Sequence, residues 1–243
     1  SLYLLIFITS TSLYSQLLDI DYYPSAKKES FFKVSLFKQF MGGVNTLGHV
    51  EIHGEVLKIN FSSKNGFNSG LSIVGSNSIF SGNKDDKKNN LSHLLNPLGG
   101  INGSIYFSLP LQRKEKSSLR INSRMGTKWI QGTPLRGSEN SFLSHFGLFG
   151  FVYQRLLFED ALENQRIDFW AYPRLMASQI NKDDLTLFFN DELEPFSYGY
   201  GLETGVEFNR KVRLVFLLNQ FVNTLEPDTM GIPVLRFTLG YRF

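Results

Sequence analysis

The sequence contains no cysteine among its 243 residues, and this absence excludes disulfides, thiolate metal ligands and cysteine nucleophiles. A strong excess of charge is also missing, because 25 Lys and Arg residues are balanced by 22 Asp and Glu residues, for a net charge of +3. A balance this close to neutrality gives no basis for nucleic-acid binding. We therefore expect neither a nucleic-acid partner nor a cofactor.

Long apolar runs are a third absence. After an apolar run at residues 2–8, no stretch approaches the roughly 20 apolar residues that a transmembrane helix needs. Aromatic residues and glycine are instead abundant, with 23 Phe, 10 Tyr and 21 Gly. Aromatic side chains favour strands and membrane interfaces, whereas glycine suits turns and crowded barrel walls. A membrane location would therefore require strands rather than helices.

The last eleven residues, 233–243, alternate between apolar and polar or small side chains. A period of two indicates a β-strand with one apolar face and one polar face. Because the apolar face runs to the last residue, it needs an apolar neighbour, which hydrocarbon outside a closed barrel would supply. The residues of this predicted membrane-insertion strand are Leu235, Phe237, Leu239, Tyr241 and Phe243.

This ending resembles the final strand of Gram-negative outer-membrane β-barrel proteins, which close with a C-terminal Phe and an aromatic residue two positions earlier. The resemblance indicates the class and no subfamily, since only the closing strand carries a specific motif. It implies a place in the bacterial outer membrane. The partners that it implies are outer-membrane lipid, lipopolysaccharide and the barrel-assembly machinery.

The N-terminal region resembles the end of a secretory signal peptide. The apolar run at residues 2–8 is followed by small and polar residues up to Gln16, as in an apolar core followed by a cleavage zone. We interpret residues 1–15 as a truncated signal peptide and residues 16–29 as a periplasmic lead-in. A buried first strand is the alternative for the apolar run.

The remaining residues, 30–243, predict one all-β domain. We expect an antiparallel transmembrane up-and-down β-barrel of about ten strands, within a range of about eight to twelve. The predicted strands occupy residues 30–41, 48–61, 69–80, 99–112, 117–129, 141–155, 166–179, 195–209, 211–223 and 233–243.

The connections between these segments alternate in length. Long polar connections are predicted at residues 81–98, 130–140 and 180–194, and tight turns at 113–116 and Arg210. Long loops on one side and short turns on the other are typical of outer-membrane barrels. The connection at 42–47 is the exception, because it is short where a long loop is expected.

A soluble lipocalin-like ligand-binding β-barrel is an alternative that would also show alternating strands. Such a barrel would bury its apolar face and would have turns of similar length at both ends. Aromatic residues near the ends of the apolar stripes, such as Trp129, Phe196 and Tyr198, favour the membrane barrel, since aromatic side chains collect at membrane interfaces.

Charged residues occupy the polar positions of the predicted strands. Charges facing lipid are costly, so we expect these side chains to point into the lumen and to pair there. Gly199, Gly201 and Gly205 share the polar face of their strand and leave room for long side chains opposite. The predicted lumen charge network consists of Arg120, Arg124, Lys128, Asp168, Arg174, Glu203, Glu207, Arg236 and Arg242.

This pattern predicts a structural barrel, or a narrow small-solute pore with a largely occluded charged lumen. A lipid-modifying or proteolytic barrel enzyme is the alternative, because some barrel hydrolases place a Ser and a His on one face of a strand. Ser144 and His145 are adjacent and therefore point to opposite faces. The sequence thus predicts no catalytic residue.

Two histidines share a face with two carboxylates, in the series His49, Glu51, His53 and Glu55. Histidine and carboxylate can together bind a transition metal. Alternate polar residues on a strand more commonly form one wet face, however, so no metal site is predicted.

Deletion of Phe243 is expected to lower the fraction of heat-resistant, membrane-inserted protein. The apolar stripe loses its terminal aromatic residue, and the resemblance implies that the insertion machinery reads this stripe. Electrophoresis of unheated and heated membrane fractions measures the folded fraction. A folded yield equal to that of the unmodified chain would contradict the barrel interpretation.

Overall fold

The computed structural model describes residues 31–37, 39–45, 49–80, 100–131, 141–183, 195–222 and 234–243. The predicted signal peptide and lead-in lie outside these residues. Eleven strands are found, and no helix in the described part of the chain is long and apolar enough to cross a membrane. The strands are β1 (Phe31–Leu36), β2 (Gln39–Asn45), β3 (His49–Ser62), β4 (Asn68–Phe80), β5 (Gly100–Lys114), β6 (Ser117–Gln131), β7 (Ser141–Asp160), β8 (Gln165–Ile180), β9 (Phe196–Phe208), β10 (Val212–Phe221) and β11 (Val234–Arg242).

Strands β2 to β11 form a closed antiparallel barrel of ten strands. Each strand pairs with its neighbours in the sequence, and β11 pairs with β2, with Thr238 opposite Gly43. A Cβ atom on Gly43 would lie 2.5 Å from the carbonyl oxygen of Phe237, so glycine permits the close approach of the two strands. The predicted all-β, ten-stranded barrel is confirmed.

The first predicted strand, at residues 30–41, requires a correction. The structure contains two strands there, because the chain breaks at Phe37, which has a φ of 47°. Both pieces pair with β3: Leu36 lies opposite Leu57, and Phe40 lies opposite Gly54. Three residues of one strand therefore oppose two of the other, which is a β-bulge, and alternation alone does not reveal it.

The two faces of the barrel wall have opposite character. Outward side chains are largely apolar and exposed, for example Leu109 at 48% and Phe237 at 62%, whereas Arg124 and Glu203 on the inner face are buried. An exposed apolar exterior around a polar interior is the reverse of a soluble barrel. The protein is therefore a transmembrane barrel, and the lipocalin-like alternative does not fit.

The two ends of the barrel also differ. Short turns at residues 63–67, 115–116, 161–164 and 209–211 lie at one end, which we name the turn end. The other end, the loop end, has the longer intervals between strands, apart from the three residues between β2 and β3. The predicted alternation of short and long connections is thus seen in the strand bounds.

Aromatic contacts support the seam where β11 meets β2. The ring of Phe243 lies 5.8 Å from that of Phe40 and 5.1 Å from that of Tyr241, both in edge-to-face geometry. Edge-to-face pairs add roughly 0.5–1.5 kcal/mol to the contribution from burial. The contact between Phe243 and Phe40 therefore strengthens the barrel where β11 meets β2.

Leu109→Arg is expected to lower the free energy of unfolding by roughly 2–4 kcal/mol, the cost of an arginine facing lipid near mid-bilayer. Urea titration of the protein in phosphatidylcholine vesicles measures this change. The matched control is Leu162→Arg, because Leu162 is 98% exposed in a turn at the turn end. Equal effects at the two leucines would contradict a lipid-facing position for Leu109.

Candidate functional site

The candidate site is the lumen, and the structure places all nine residues of the predicted charge network along its wall. Eight are buried, and the side chain of Arg242 is 12% exposed. They lie on four strands, β6, β8, β9 and β11, and they alternate with outward apolar residues. The lumen contains a central apolar cluster and, around it, several groups of polar and charged side chains.

Two aromatic side chains of β8 fill the middle of the lumen. Trp170 is 1% exposed and Tyr172 is 0% exposed. They belong to one apolar cluster whose other members come from four further strands. These members are Met41 of β2, Val74 of β4, Val152 of β7 and Val215 of β10. A cluster drawn from five strands around the ring bridges the lumen from wall to wall.

Glycine on β9 makes room for this cluster. A Cβ atom on Gly205 would lie 2.7 Å from the indole ring of Trp170, and one on Gly201 would lie 3.2 Å from the sulfur of Met176. Met176 in turn joins Leu148 and Phe221 in a second buried apolar cluster. Large side chains of β8 thus extend over the glycines of β9. The cluster that contains Trp170 and the cluster that contains Met176 lie at different heights in the lumen.

A group centred on Arg213 lies beside Trp170, toward the turn end. Its guanidinium donates to Glu207 at 3.2 Å and to Gln39 at 3.3 Å, and it lies 5.3 Å from the centre of the Trp170 ring. Arg242 reaches the second oxygen of Glu207 at 3.8 Å. The pair of Arg213 and Glu207 therefore links five strands, β2, β8, β9, β10 and β11, through its contacts.

A second ion pair, between Arg166 and Asp168 of β8, lies closer to the turn end. Arg166 donates to both oxygens of Asp168, at 2.7 and 3.1 Å, and to Glu159 at 3.0 Å. Asp168 is buried whereas Glu159 is exposed. The bidentate contact with Asp168 holds its charge in a defined position, because two parallel hydrogen bonds fix the guanidinium plane.

Arg174 forms the central ion pair of the lumen. It donates to Glu203 at 3.0 Å and to Asn219 at 3.3 Å, and it lies 5.4 Å from the ring centre of Tyr172. The arginine, the carboxylate and the amide are all buried. Three strands, β8, β9 and β10, are linked by this group directly beside the apolar cluster.

The wall formed by β3, β4, β5 and β6 carries a different set of contacts. Arg120 donates to Ser108 at 2.8 Å, and Arg124 donates to Ser104 at 2.9 Å. Lys58 lies 5.0 Å from the ring centre of Tyr106. In the same wall the Tyr106 hydroxyl donates to Asn60 at 2.6 Å, and Ser72 donates to Glu55 at 3.3 Å. Hydroxyl groups thus position the basic side chains on this side.

Several lumen residues were not predicted. Lys58 points inward because the register shifts between Glu55 and Leu57, so the inner face changes from odd to even positions along β3. Arg213 and Trp170 also belong to the lumen, and both lie on regularly alternating strands. Strict alternation along β8 and β10 was a signal that could have identified them. On β3, the adjacent apolar residues Val56 and Leu57 were a signal of the bulge, because the apolar positions change there from even to odd numbers.

His53 is buried and contacts Arg236 through its Nε2 atom. Arg236 is a residue of the predicted charge network, so the histidine extends that network to β3. Within the described ranges, no group of three His, Cys, Asp or Glu side chains could hold a metal ion.

Ser144 and His145 lie on opposite faces of β7. Ser144 is buried in the lumen, where its hydroxyl is 3.1 Å from that of Ser178. His145 is exposed on the outer wall, and its Nδ1 atom is 2.8 Å from the hydroxyl of Thr127. The serine therefore lies outside the reach of the histidine.

No family model and no curated protein matches the chain. Four chains among solved structures match it. One of these is the NanC porin in a rhombohedral crystal form, which is 8% identical in sequence. The alignment covers 85% of this chain and 98% of the porin chain, with a TM-score of 0.39. A likeness at this level carries no argument about function.

The separation of Ser144 from His145 predicts no serine hydrolase activity, because a general base must lie within hydrogen-bond reach of the hydroxyl that it activates. Purified, folded protein incubated with phospholipid or lipopolysaccharide is expected to release no fatty acid. The controls are Ser144→Ala and His145→Ala. Acyl release that disappears with His145→Ala would overturn this prediction and support the enzyme alternative.

Proposed function

We propose that the protein is a bacterial outer-membrane barrel whose lumen is closed at rest and passes small polar solutes when its ion pairs rearrange. The observation that carries this proposal is the apolar cluster around Trp170 and Tyr172, which bridges the lumen between charged groups. A narrow path through such an interior requires movement of side chains, so passage is limited to small solutes.

The number of strands supports a closed resting state. Barrels of about eight strands have interiors that side chains can fill, whereas open aqueous channels are found at about sixteen strands or more. The ten-stranded ring, β2 to β11, lies near the lower limit. Its interior is small enough for Trp170 to contribute to a cluster that includes residues from distant strands.

The buried charges support passage rather than a purely structural role. Replacing buried ion pairs with apolar residues of similar volume is often neutral or stabilising. A barrel that needed only stability could fill its whole lumen with apolar side chains, as this barrel does around Trp170. Instead, the pairs Arg174–Glu203 and Arg213–Glu207 border the apolar cluster, and such pairs can exchange partners during passage of a polar solute.

The outer wall supports the proposed location. Its exposed apolar side chains and its aromatic residues near β11 suit a bilayer. Only closed barrels or helices can cross hydrocarbon with all of their backbone groups hydrogen-bonded. The closing strand additionally carries the outer-membrane pattern described above. The partners that we propose for a protein at this location are lipid, lipopolysaccharide and the barrel-assembly machinery.

In planar bilayers, the unmodified protein is expected to show small or no steady conductance. Trp170→Ala should raise the conductance, because the indole ring contributes the largest side chain of the cluster that bridges the lumen. Trp129→Ala is the matched control, since Trp129 lies on the outward parity of β6. Both variants should retain the electrophoretic shift between unheated and heated samples that marks a folded barrel.

Two outcomes would contradict this proposal. A large, constant conductance of the unmodified protein would indicate a general porin with an open lumen. A folded Trp170→Ala variant that remained silent at all applied voltages would indicate a structural barrel without passage. Trp170→Phe, which retains most of the apolar volume, separates loss of packing from loss of the indole nitrogen.

A further inference from the structure

We infer that the outer wall of the barrel carries a binding site for an anionic phospholipid near the turn end, formed by Lys114 of β5, Ser117 of β6 and Arg155 of β7. The phosphate of the lipid lies between the two basic side chains, and its acyl chains lie along the apolar wall. Because the site faces lipid and not the lumen, it is independent of any passage of solutes.

The outer wall carries very few charged residues. In the described strands, the charged residues at outward positions are Lys114, Arg155 and Asp160. Asp160 is the last residue of β7, and its carboxylate accepts hydrogen bonds from the backbone N–H groups of Leu162 and Glu163, at 2.9 and 3.3 Å. Asp160 therefore stabilises the turn that follows it, and the other two charges on the wall are both positive.

Lys114 faces outward because β5 contains a bulge. Before the bulge, even-numbered residues of β5 such as Ser108 are buried in the lumen. The register then shifts between Pro110 and Gln112, and Lys114 lies opposite Ser117, which is on the outward parity of β6. Without the extra residue, Lys114 would be on the inner face. Bulges in natural sheets often reorient a functional side chain in this way.

The three residues of the site lie side by side on adjacent strands. Lys114 pairs with Ser117, and Ser117 pairs with Arg155. Because neighbouring strands are about 4.8 Å apart, the backbones of the two basic residues are separated by roughly 10 Å, with the serine midway. Side chains as long as those of lysine and arginine can meet at one phosphate group across this distance. The guanidinium can donate two parallel hydrogen bonds to it, and the serine hydroxyl can donate a further one.

Apolar side chains flank Arg155 on the same face of the wall. Tyr153, toward mid-bilayer, and Leu157, toward the turn end, are both exposed, and Phe169 of β8 lies directly opposite Arg155. A free anion gains nothing from this apolar surface, whereas a phospholipid can place its glycerol backbone and acyl chains on it. Tyrosine and a basic residue together are typical of the boundary between headgroups and hydrocarbon. The surroundings therefore favour a lipid phosphate over phosphate in solution.

The charge of the site favours an anionic lipid over a zwitterionic one. The turn between β5 and β6 contains Glu115 and Lys116, whose formal charges cancel. Together with Lys114 and Arg155, these residues give the site a formal charge of +2. Phosphatidylcholine would bring its own cationic group close to these charges, whereas phosphatidylglycerol carries a net negative charge. Phosphatidylglycerol is therefore the probe that we choose.

Quenching of an engineered tryptophan by brominated lipids measures binding at the site. The chain has two tryptophans, so Trp129→Phe removes the one on the outer wall, and Tyr153→Trp places an aromatic reporter beside Arg155. Trp170 is buried in the lumen and contributes a constant signal.

The protein is reconstituted in mixed vesicles of phosphatidylcholine and phosphatidylglycerol, with bromine on the acyl chains of one lipid or of the other. The two quenching levels give the association constant of phosphatidylglycerol relative to phosphatidylcholine. This ratio is expected to exceed one, because a basic residue near anionic lipid contributes a factor of about five, or about 1 kcal/mol.

Variants of the basic residues test the assignment of the site. Lys114→Gln and Arg155→Gln should each lower the ratio by a factor of about five, whereas Arg155→Lys, which retains the charge, should preserve most of it. The matched control is Lys211→Gln, which removes one exposed positive charge in another turn at the turn end and should leave the ratio unchanged. All of these variants should retain the electrophoretic shift that marks a folded barrel.

Three outcomes would overturn the site. A ratio of one with both basic residues present would show that Lys114 and Arg155 only extend into water. An equal decrease with Lys211→Gln would show a general attraction to the anionic surface. Inorganic phosphate, added at constant ionic strength, should have no effect on the ratio. A decrease on its addition would show that the ligand is phosphate from solution and not a phospholipid.

Discussion

The pairing of β11 with β2 is the constraint on which the rest of the structure depends. In hydrocarbon, an unpaired backbone N–H or C=O group costs several kcal/mol, so a sheet that crosses a membrane must have no open edge there. Once the ring is closed, every strand has one face toward lipid and one toward the lumen. Alternation along the sequence then separates two environments, and polar side chains are confined to a small interior where they must find partners.

Confinement explains why the interior contains both ion pairs and an apolar cluster. Long side chains from ten strands converge on a narrow space, and Gly205 and Gly201 provide the volume into which Trp170 and Met176 extend. Charged groups in the remaining space pair across strands, as Arg213 does with Glu207. Side chains thus fill the lumen as they fill a protein core, but many of them are charged or polar, as on a protein surface.

The sequence predicted the wall of the barrel better than its interior. Alternation identifies the outward and inward residues of regular strands, so the residues from Leu235 to Phe243 could be assigned to the closing strand without knowledge of their neighbours. It failed at Lys58, because an extra residue in β3 reverses the alternation. It also could not indicate that Trp170 and Val74 belong to one cluster, since parity states which face a residue occupies and not how far across the lumen it extends.

Closure between β2 and β11 also determines when the barrel can become complete. Gly43 and Thr238, which pair at the seam, are separated by nearly the whole chain, and pairings this distant form slowly because the entropy of a long loop must be lost first. The hairpins between consecutive strands can form as soon as both strands are available, but the ring cannot. A chain interrupted anywhere before β11 would therefore present two unsatisfied sheet edges at once. Such a pair of open edges distinguishes an unfinished barrel from a finished one.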